Sequence, residues 1–285
     1  MAGGIRQAGA ATPEVVDASD APGNAGPILR VRDLQFRFPA APDRPVIDSL
    51  DFEVEPGQFV SIVGQSGTGK TTLLRILAGL VKPDAGTVTF EAKAVAGVVP
   101  PGVAVVFQDY SRSLFPWLSV SGNVEMPLRV LGCNKAERQR RIAESLGAVN
   151  LGEFATSYPW QLSGGMQQRV AIARAIACEP RLLLMDEPFA SLDAMTRANL
   201  EDLLLSVHER FGITTLFVTH DIDESVYLSD RVLVLSPRPA RVIADWGIPL
   251  SRPRDQVATR QDPEFVERRS AIAALIRDPG LAPVR

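Results

Sequence analysis

The chain has 285 residues, of which 46% are hydrophobic, and it carries a formal net charge of −3 at pH 7. This length and hydrophobic content can form one large α/β domain or two small ones, and the spread of the 30 lysine and arginine residues along the chain argues against a broad nucleic-acid interface. No apolar run approaches the ~18 residues that a membrane-spanning helix needs, so we expect any membrane role to come through partner proteins.

Residues 1–27 are rich in alanine, glycine, proline and aspartate and contain few large apolar side chains. Burial of so few apolar groups does not offset the entropy that is lost when the backbone is ordered. The sequence therefore predicts a disordered tail over residues 1–27. We expect one folded domain over residues 28–250 and a C-terminal extension over residues 251–285.

Apolar residues alternate loosely with polar residues in the two segments that follow the tail. The apolar positions are Leu29, Val31, Leu34, Phe36 and Phe38 in the first segment, and Leu50, Phe52 and Val54 in the second. Such alternation is typical of half-buried strands. We expect these two segments to form an antiparallel β layer at the edge of the domain.

The pattern changes at Phe59 to short, continuous apolar runs that are separated by stretches of helical periodicity. The runs are Phe59–Val63, Val103–Phe107, Leu182–Met185, Thr215–Val218 and Val232–Leu235. Continuous apolar strands that alternate with helices indicate a mostly parallel sheet with both faces covered. The predicted fold class is therefore α/β.

Strand signals disappear between Gln108 and Gln161. Within this stretch, Asn134 followed by Glu137 forms an N-terminal cap for a charged helix. The sequence therefore predicts a helical subdomain over about residues 109–161, inserted into the sheet. In the C-terminal extension, an aspartate and a proline at residues 262–263 predict the start of a short terminal helix.

A glycine-rich loop follows the first continuous apolar strand. It consists of Gly64, Gln65, Ser66, Gly67, Thr68, Gly69, Lys70 and Thr71, and Thr72 follows it at the start of a predicted helix. This is a full match to the phosphate loop, in which glycines let backbone amides turn towards β- and γ-phosphates. We expect Lys70 to reach phosphate oxygens and Thr71 to ligate Mg²⁺. The loop alone leaves kinases, GTPases and ATPases as alternatives.

Two carboxylates, Asp186 and Glu187, follow the apolar strand Leu182–Met185. A buried parallel strand presents the residues at its carboxyl end to the ligand crevice. We expect Asp186 to hold Mg²⁺ and Glu187 to accept a proton from the attacking water. The alternative is that both carboxylates only cap the loop before Pro188.

A second glycine-rich helix start follows the predicted subdomain, at Ser163, Gly164 and Gly165. It predicts a second anion site, because the amides at a helix N-terminus favour negative charge. Plain helix capping by Ser163 is the alternative. A monomeric phosphate-loop kinase has no need of such a second helix start.

With these motifs in this order, the chain resembles the ABC transporter ATPase family over about residues 28–250. The resemblance implies an ABC ATPase core with an antiparallel β layer and an inserted helical subdomain. It implies ATP and Mg²⁺ as cofactors. It also implies a homodimer in the ATP-bound state, in which Ser163, Gly164 and Gly165 of one subunit close over the ATP held by the other.

The resemblance gives roles to further residues. Gln108 matches the family glutamine that touches Mg²⁺ and the attacking water, and Asp193 lies in the loop that crosses between subunits. His220 matches the histidine that contacts the γ-phosphate, although a lone histidine after a strand is more often structural. Phe38 falls where the family places the aromatic that stacks on adenine, but Phe36 is close and either ring could belong to the core.

Three segments resemble the importer ATPases for nitrate, sulfonates, taurine and bicarbonate: Leu114–Val120 with Asn123, Ser236–Arg241 and Ser251–Arg254. This resemblance implies uptake of a small oxyanion-type solute. Its expected partners are integral membrane permease subunits and, indirectly, an extracytoplasmic solute-binding protein. Nucleic acid is not an expected partner. The expected location is peripheral, on the cytoplasmic face of the cell membrane.

The aromatic side chains in the first of these segments allow two interpretations. Trp117 could belong to the core, or it could form an exposed patch with Phe115 that receives a coupling helix of the permease. Trp160 stands where close relatives often have histidine, so the shape of this surface departs from the common form.

Two other functional classes remain as alternatives. One is a soluble, non-transport ABC ATPase, which is disfavoured because long coiled coils, zinc-binding cysteines and a second tandem cassette are absent from the sequence. The other is a phosphate-loop kinase, against which the helix start at Ser163 counts. Copurification with a membrane protein separates the importer from both.

Overall fold

The computed structural model describes residues 26–95, 97–109 and 113–282. The strands within these ranges are β1 (Leu29–Arg37), β2 (Pro45–Val54), β3 (Phe59–Val63), β4 (Ala85–Phe90), β5 (Lys93–Ala94), β6 (Val103–Val106), β7 (Leu182–Asp186), β8 (Thr214–Thr219), β9 (Arg231–Leu235) and β10 (Val242–Gly247). The helices are α1 (Lys70–Leu77), α2 (Val120–Val130), α3 (Lys135–Ala148), α4 (Gly164–Ile176), α5 (Ala194–Phe211), α6 (Ile222–Leu228), α7 (Ala258–Gln261) and α8 (Pro263–Arg277). The predicted disordered tail lies outside the described residues, apart from its last two positions.

The larger sheet contains six strands in the order β10-β9-β3-β8-β7-β6. The neighbours from β9 to β6 are parallel, and only β10 is antiparallel to its partner β9. All residues of β3, β7 and β8 are buried, as expected for strands with both faces covered. The predicted α/β class with a mostly parallel sheet is confirmed.

The second sheet is antiparallel, in the order β2-β1-β4-β5. The alternating residues Leu29, Val31, Leu34 and Phe36 of β1 are buried, which confirms the predicted edge layer. The sequence pattern did not reveal β4, because its first three residues are exposed and only two of its residues are buried. Phe38 lies beyond the end of β1.

The stretch between β6 and β7 contains α2, α3 and α4. The side chain of Asn134 accepts a hydrogen bond from the backbone N–H of Glu137, at 3.0 Å, and so caps α3 as the sequence predicted. Buried residues of α2, α3 and α4 share one apolar cluster with the core sheet. Within the described ranges, no helix is long and apolar enough to cross a membrane.

The C-terminal segment packs back onto the domain. Helix α8 begins at Pro263, as predicted, and Asp262 caps it by accepting a hydrogen bond from the N–H of Glu264 at 2.8 Å. Phe265 and Ile272 of α8 are buried in the apolar cluster of the core sheet. Helix α8 also contacts α6 and β9, so the C-terminal segment covers part of the core.

Replacing Phe265 with alanine is expected to lower the free energy of unfolding by ~3–5 kcal/mol, because a large buried ring is lost and a cavity remains. The ring of Phe265 is 1% exposed. The matched control is Val266→Ala, at the neighbouring position of α8, where the side chain is 40% exposed. Urea unfolding measures both changes. Equal losses for the two variants would contradict the packing of α8 on the core.

Candidate active site

The glycine-rich loop lies between the carboxyl end of β3 and the start of α1. Gly67 and Gly69 have φ values of 79° and 111°, in the left-handed region that favours glycine. A Cβ atom at position 69 would lie 2.7 Å from Cγ1 of Val46, so only glycine fits there. The other residues of this stretch that are predicted to bind ATP follow one another through the loop into the first turn of α1. They are Gly64, Gln65, Ser66, Thr68, Lys70, Thr71 and Thr72.

The ammonium group of Lys70 closes over the start of the loop. Its Nζ donates to the carbonyl oxygens of Gly64, at 2.9 Å, and Gln65, at 3.1 Å. It also lies 3.7 Å from Oε1 of Glu187. Burial lowers the pKa of Lys70, and the negative charges of Glu187 and Asp186 oppose that effect. A buried cation therefore joins the loop to the carboxylates at the end of β7.

Thr71 and Asp186 form a pair of oxygen ligands. The Thr71 hydroxyl donates to Oδ1 of Asp186 at 3.1 Å, and Asp186 is almost fully buried. Burial raises the pKa of Asp186, while the hydrogen bond from Thr71 lowers it. A hydroxyl and a buried carboxylate are the hard oxygen donors that Mg²⁺ prefers, so this pair fits a divalent cation. The buried hydroxyl of Thr68 has no hydrogen-bond partner among the described residues, which fits a polar ligand inside the loop.

Glu187 follows β7 and is joined to His220. Oε2 of Glu187 lies 2.8 Å from Nδ1 of His220, a hydrogen bond in which the carboxylate oxygen accepts. The backbone N–H of Glu187 donates to the carbonyl of Val218 at 2.8 Å, which ties the residue to β8. Glu187 has a φ of 43°, a left-handed value that is uncommon outside glycine and often marks a functional position.

These contacts bring five predicted residues together, and we call them the Lys70 cluster: Lys70, Thr71, Asp186, Glu187 and His220. Gln108 is near the same sheet edge, because Val106 of β6 pairs with Met185 of β7 in parallel register. Its side chain is exposed, and no hydrogen bond joins it to the cluster among the described residues. The structure thus brings four of the five predicted catalytic and Mg²⁺ residues together with Lys70 of the phosphate loop, and it places the fifth, Gln108, beside them.

The two aromatic rings near the end of β1 occupy different environments. Phe36 is 6% exposed and belongs to the core, whereas Phe38 is 42% exposed. Their ring centroids are 5.2 Å apart in an edge-to-face arrangement. A ring that stacks on a base must be accessible, so Phe38 meets this requirement and Phe36 does not.

The second glycine-rich helix start forms its own group. Ser163 caps α4 by accepting a hydrogen bond from the N–H of Met166 at 3.3 Å. A Cβ at Gly165 would lie 2.5 Å from Cγ2 of Thr196 in α5, so α4 and α5 approach closely there. Asp193 caps α5 by accepting from the N–H of the same threonine at 3.0 Å. We call Ser163, Gly164, Gly165 and Asp193 the Ser163 cluster.

The Ser163 cluster lies at the surface. Ser163, Gly164 and Asp193 are exposed, and hydrogen bonds from Thr196 lower the pKa of Asp193. Among the described residues, no hydrogen bond or ion pair connects this cluster with the Lys70 cluster. Ser163 therefore does cap α4, as the alternative interpretation expected. The two glycine-rich helix starts, at Gly69 and at Ser163, form separate groups within the described part of the chain.

Sequence reasoning missed Glu224, which lies in α6 just after His220. Glu224 is buried, and its Oε2 accepts a hydrogen bond from the hydroxyl of Thr219 at 2.6 Å. Burial raises the pKa of Glu224 to about 7, and Arg197, whose Nε lies 3.5 Å from Oε1, opposes that effect. The sequence signal for Glu224 was an acidic residue in the first turn of a helix. An acidic residue at that position is usually explained by its favourable interaction with the helix dipole.

Replacing Glu224 with glutamine is expected to flatten the dependence of stability on pH. The pKa of Glu224 is about 7 in the folded state, against an ordinary value of 4.5. Between pH 4.5 and about 7, the folded state therefore binds more protons than the unfolded state. The free energy of unfolding of the wild type therefore falls as the pH rises through that window, by roughly 1–3 kcal/mol from this group. Glutamine can still accept from Thr219 but does not titrate.

Thermal or urea unfolding across that pH window tests this expectation. The control is Glu267→Gln, at an exposed position of α8, which should follow the wild-type curve. If the curves of the wild type and Glu224→Gln run parallel from acidic to neutral pH, Glu224 does not titrate in the folded state as we infer.

Comparison with known proteins agrees with this geometry. A family model described as ABC transporter matches residues 47–190. The nitrate import ATP-binding protein NrtD of Synechocystis is 41% identical over 238 residues, which cover 81% of this chain and 88% of that protein. The taurine import ATP-binding protein TauB of Sinorhizobium fredii is 43% identical over 243 residues, or 82% of this chain and 88% of that protein. A solved dimeric ATP-binding cassette bound to ADP and Pi has a TM-score of 0.68 and 31% identity, and covers 78% of this chain and all of that one.

Proposed function

Because this chain belongs to the ABC transporter family of ATP-binding proteins, we propose that it is the ATP-hydrolysing subunit of a membrane importer. As a member of this family it is an ATPase that uses ATP with Mg²⁺. The observation that carries the assignment of the active site is the contact of Lys70 and His220 with the same carboxylate, Glu187. We assign the ATPase domain to residues 28–250.

The residues of the Lys70 cluster divide the work of binding. Lys70 and the phosphate loop hold the triphosphate, and Thr71 with Asp186 holds Mg²⁺, with Gln108 contributing from the end of β6. When bound, Mg²⁺ neutralises charge that develops on the phosphate oxygens. Phe38 provides the exposed ring for the adenine base.

Glu187 is the general base in this proposal. Its carboxylate accepts the proton of the attacking water, and a carboxylate placed for that step contributes a large share of the rate. His220 holds one carboxylate oxygen at 2.8 Å, and Lys70 lies 3.7 Å from the other. The imidazole of His220 and the ammonium group of Lys70 therefore hold the two carboxylate oxygens of Glu187 in place.

The Ser163 cluster acts in a second chain. Its exposed serine and glycine amides form an anion-binding helix start, but within the described residues they make no contact with the Lys70 cluster of the same chain. A head-to-tail dimer brings the Ser163 cluster of one subunit against the Lys70 cluster of the other. The dimeric form of the similar cassette that binds ADP and Pi supports this arrangement.

The aromatic patch is the proposed contact with the permease, and it consists of Phe115 and Trp117. Trp117 is 71% exposed, and its ring centroid lies 5.4 Å from that of the half-buried Phe115. The buried side chain of Asn123 organises the loop, since it accepts from the N–H of Phe115 at 2.8 Å and donates to the carbonyl of Leu118 at 3.1 Å. An exposed apolar patch is typical of a protein interface.

Replacing Phe115 and Trp117 together with serine is expected to spare the basal ATPase activity and to prevent recovery of the permease. Loss of buried aromatic anchors at an interface typically costs ~2 kcal/mol or more each, which disrupts a complex held by few anchors. The measurement is a pull-down of permease subunits from detergent-solubilised membranes, with ATPase rates of the same preparations. Val257→Ser, which removes an exposed apolar side chain of the C-terminal segment, is the control.

Unchanged recovery of the permease by the double variant would contradict the proposed patch. Failure of the wild type to recover any integral membrane protein would contradict the importer and favour the alternative, a soluble non-transport ABC ATPase. In the importer, the subunit lies on the cytoplasmic face of the membrane, and an extracytoplasmic solute-binding protein delivers the solute to the permease.

The solute is a small oxyanion-type compound of the nitrate, sulfonate or taurine, or bicarbonate class. Two relatives at 41% and 43% identity are named for nitrate and taurine import, which supports this class. Growth of a deletion strain on nitrate or taurine as the sole source of nitrogen or sulfur tests it. Uptake that is lost on deletion and restored by this gene supports the class, and normal uptake of every candidate contradicts it.

A further inference from the structure

The segment Ser236–Arg241, which follows β9, has no role in the site described above. Strand β9 lies beside β3 in the core sheet, with Val234 paired to Val63 in parallel register. The residues after β9 therefore emerge next to the phosphate loop, which follows β3. The close approach is visible at Gly64, where a Cβ would lie 3.2 Å from the carbonyl oxygen of Leu235.

Arg238 of this segment contacts the phosphate loop directly. Its Nε donates to the carbonyl oxygen of Gly67 at 2.7 Å. The N–H on the other side of the same peptide bond belongs to Thr68 and points to the carbonyl oxygen of Gln65, at 3.3 Å. That oxygen also accepts from Nζ of Lys70, at 3.1 Å. A short chain of hydrogen bonds therefore links Arg238 through the loop to Lys70.

The backbone that carries Arg238 is held in place. Ser236 Oγ donates to the carbonyl of Pro239 at 2.8 Å and accepts from the N–H of Arg241 at 3.0 Å. The N–H of Ala240 donates to the carbonyl of Val46 at 2.8 Å. These hydrogen bonds join the segment to itself and to β2, and they hold the backbone of Arg238 next to the phosphate loop.

The charge of Arg238 differs from that of its neighbours. Arg241 in the same segment pairs with Asp48, and Arg231 of β9 pairs with Asp245. Arg238 forms no ion pair with a carboxylate among the residues that the structure describes. It therefore leaves an uncompensated positive charge next to a loop that binds a polyanion, and such a charge attracts anions over several ångströms.

We propose that Arg238 is a positioning residue for ATP, because it fixes the Gly67 peptide of the phosphate loop and adds uncompensated positive charge beside it. The inference rests on the proposed role of the phosphate loop. The bond to Gly67 orients the loop and supports Lys70, and the charge favours the triphosphate over the empty loop. Both effects act on the binding of the nucleotide rather than on the transfer of the proton to Glu187.

The experiment compares four single variants of the full chain: Arg238→Ala, Arg238→Lys, Arg241→Ala and Lys70→Ala. Arg241→Ala is the matched control, since it removes the same charge from the same segment but from a residue that pairs with Asp48. For Arg238→Ala we expect the KM for Mg-ATP to rise by about 3- to 10-fold, with kcat within about twofold of the wild type, because a hydrogen bond and a partly screened charge are lost.

Three further readouts separate positioning from folding. Arg238→Lys, which keeps the charge, should recover part of the affinity, and Arg241→Ala should leave KM within about twofold of the wild type. The difference in KM for Mg-ATP between the wild type and Arg238→Ala should become smaller at high salt, because added ions screen the charge of Arg238. Thermal unfolding of the variants in the absence of nucleotide should agree with that of the wild type within a few degrees.

A KM for Arg238→Ala that equals that of Arg241→Ala would overturn the role of Arg238, provided that Lys70→Ala has lost ATP binding. If Lys70→Ala still binds ATP like the wild type, the phosphate-loop assignment fails and the inference fails with it. A fall in kcat at unchanged KM would also overturn it, since that result would place Arg238 in the chemical step. If Arg238→Ala does not fold, Arg238→Lys decides. A KM for Arg238→Lys less than about 3-fold above that of the wild type supports the role of the charge, and a KM raised by about 3-fold or more at an unchanged melting temperature contradicts it.

Discussion

Glu187→Gln is expected to lower the turnover of ATP at saturating Mg-ATP by ~10²-fold or more, because glutamine cannot accept the proton of the attacking water. The variant should bind ATP like the wild type. The amide has the same shape as the carboxylate, and its oxygen can still accept the hydrogen bond from Nδ1 of His220. Binding is measured by calorimetry or with a fluorescent ATP analogue, and turnover by phosphate release.

Lys70→Ala is the control that separates binding from chemistry. Nζ of Lys70 contacts both the loop carbonyls and Glu187, so its removal should weaken ATP binding itself. Loss of turnover at normal affinity for Glu187→Gln, with loss of affinity for Lys70→Ala, is the pattern that the geometry predicts. Near-normal turnover by Glu187→Gln at saturating ATP would show that another group is the base.

Ser163→Arg is expected to leave ATP binding intact and to abolish hydrolysis. A large cation on the exposed helix start blocks the approach of this surface to the ATP held by a second chain, while the Lys70 cluster of the same chain is untouched. The substitution also removes the cap of α4, which costs ~0.5–2 kcal/mol of stability. ATP binding and phosphate release are therefore measured well below the melting temperature.

Ser163→Ala is the matched control for the lost cap. It removes the same hydrogen bond to the N–H of Met166 but adds neither bulk nor charge. Similar melting temperatures for the two variants, with a much larger loss of hydrolysis in Ser163→Arg than in Ser163→Ala, would locate the added effect of the arginine at the surface of the helix start. Full hydrolysis by Ser163→Arg would show that this helix start only caps α4.

Local sequence patterns predicted the parts of the site that lie within a few residues of one another. The phosphate loop and the caps at Ser163 and Asn134 follow from glycine conformations and helix-end hydrogen bonds, which depend on adjacent residues. The parallel sheet followed from continuous apolar runs. Strand β10, by contrast, has partly exposed residues and no clear alternation, so only its pairing with β9 identifies it.

Contacts between distant segments could not be predicted, because they depend on the strand order. The bond between Arg238 and Gly67 joins residues that are 171 positions apart, and it exists because β9 is placed beside β3. The burial of Glu224 likewise depends on the packing of α6 under the core sheet. Thr196 is a further case, since it touches both Gly165 and the carboxylate of Asp193 and no motif includes it.

The proposed dimer is tested most directly by asking whether two chains complete each ATP site. The measurement is the mass of Glu187→Gln by sedimentation, with and without Mg-ATP, over a range of protein concentrations. Because this variant should hold ATP without consuming it, we predict a dimer that forms only with Mg-ATP and that is lost when Ser163→Arg is added to the same chain. A single-chain mass at every concentration, with one ATP bound per chain, would contradict the proposed dimer.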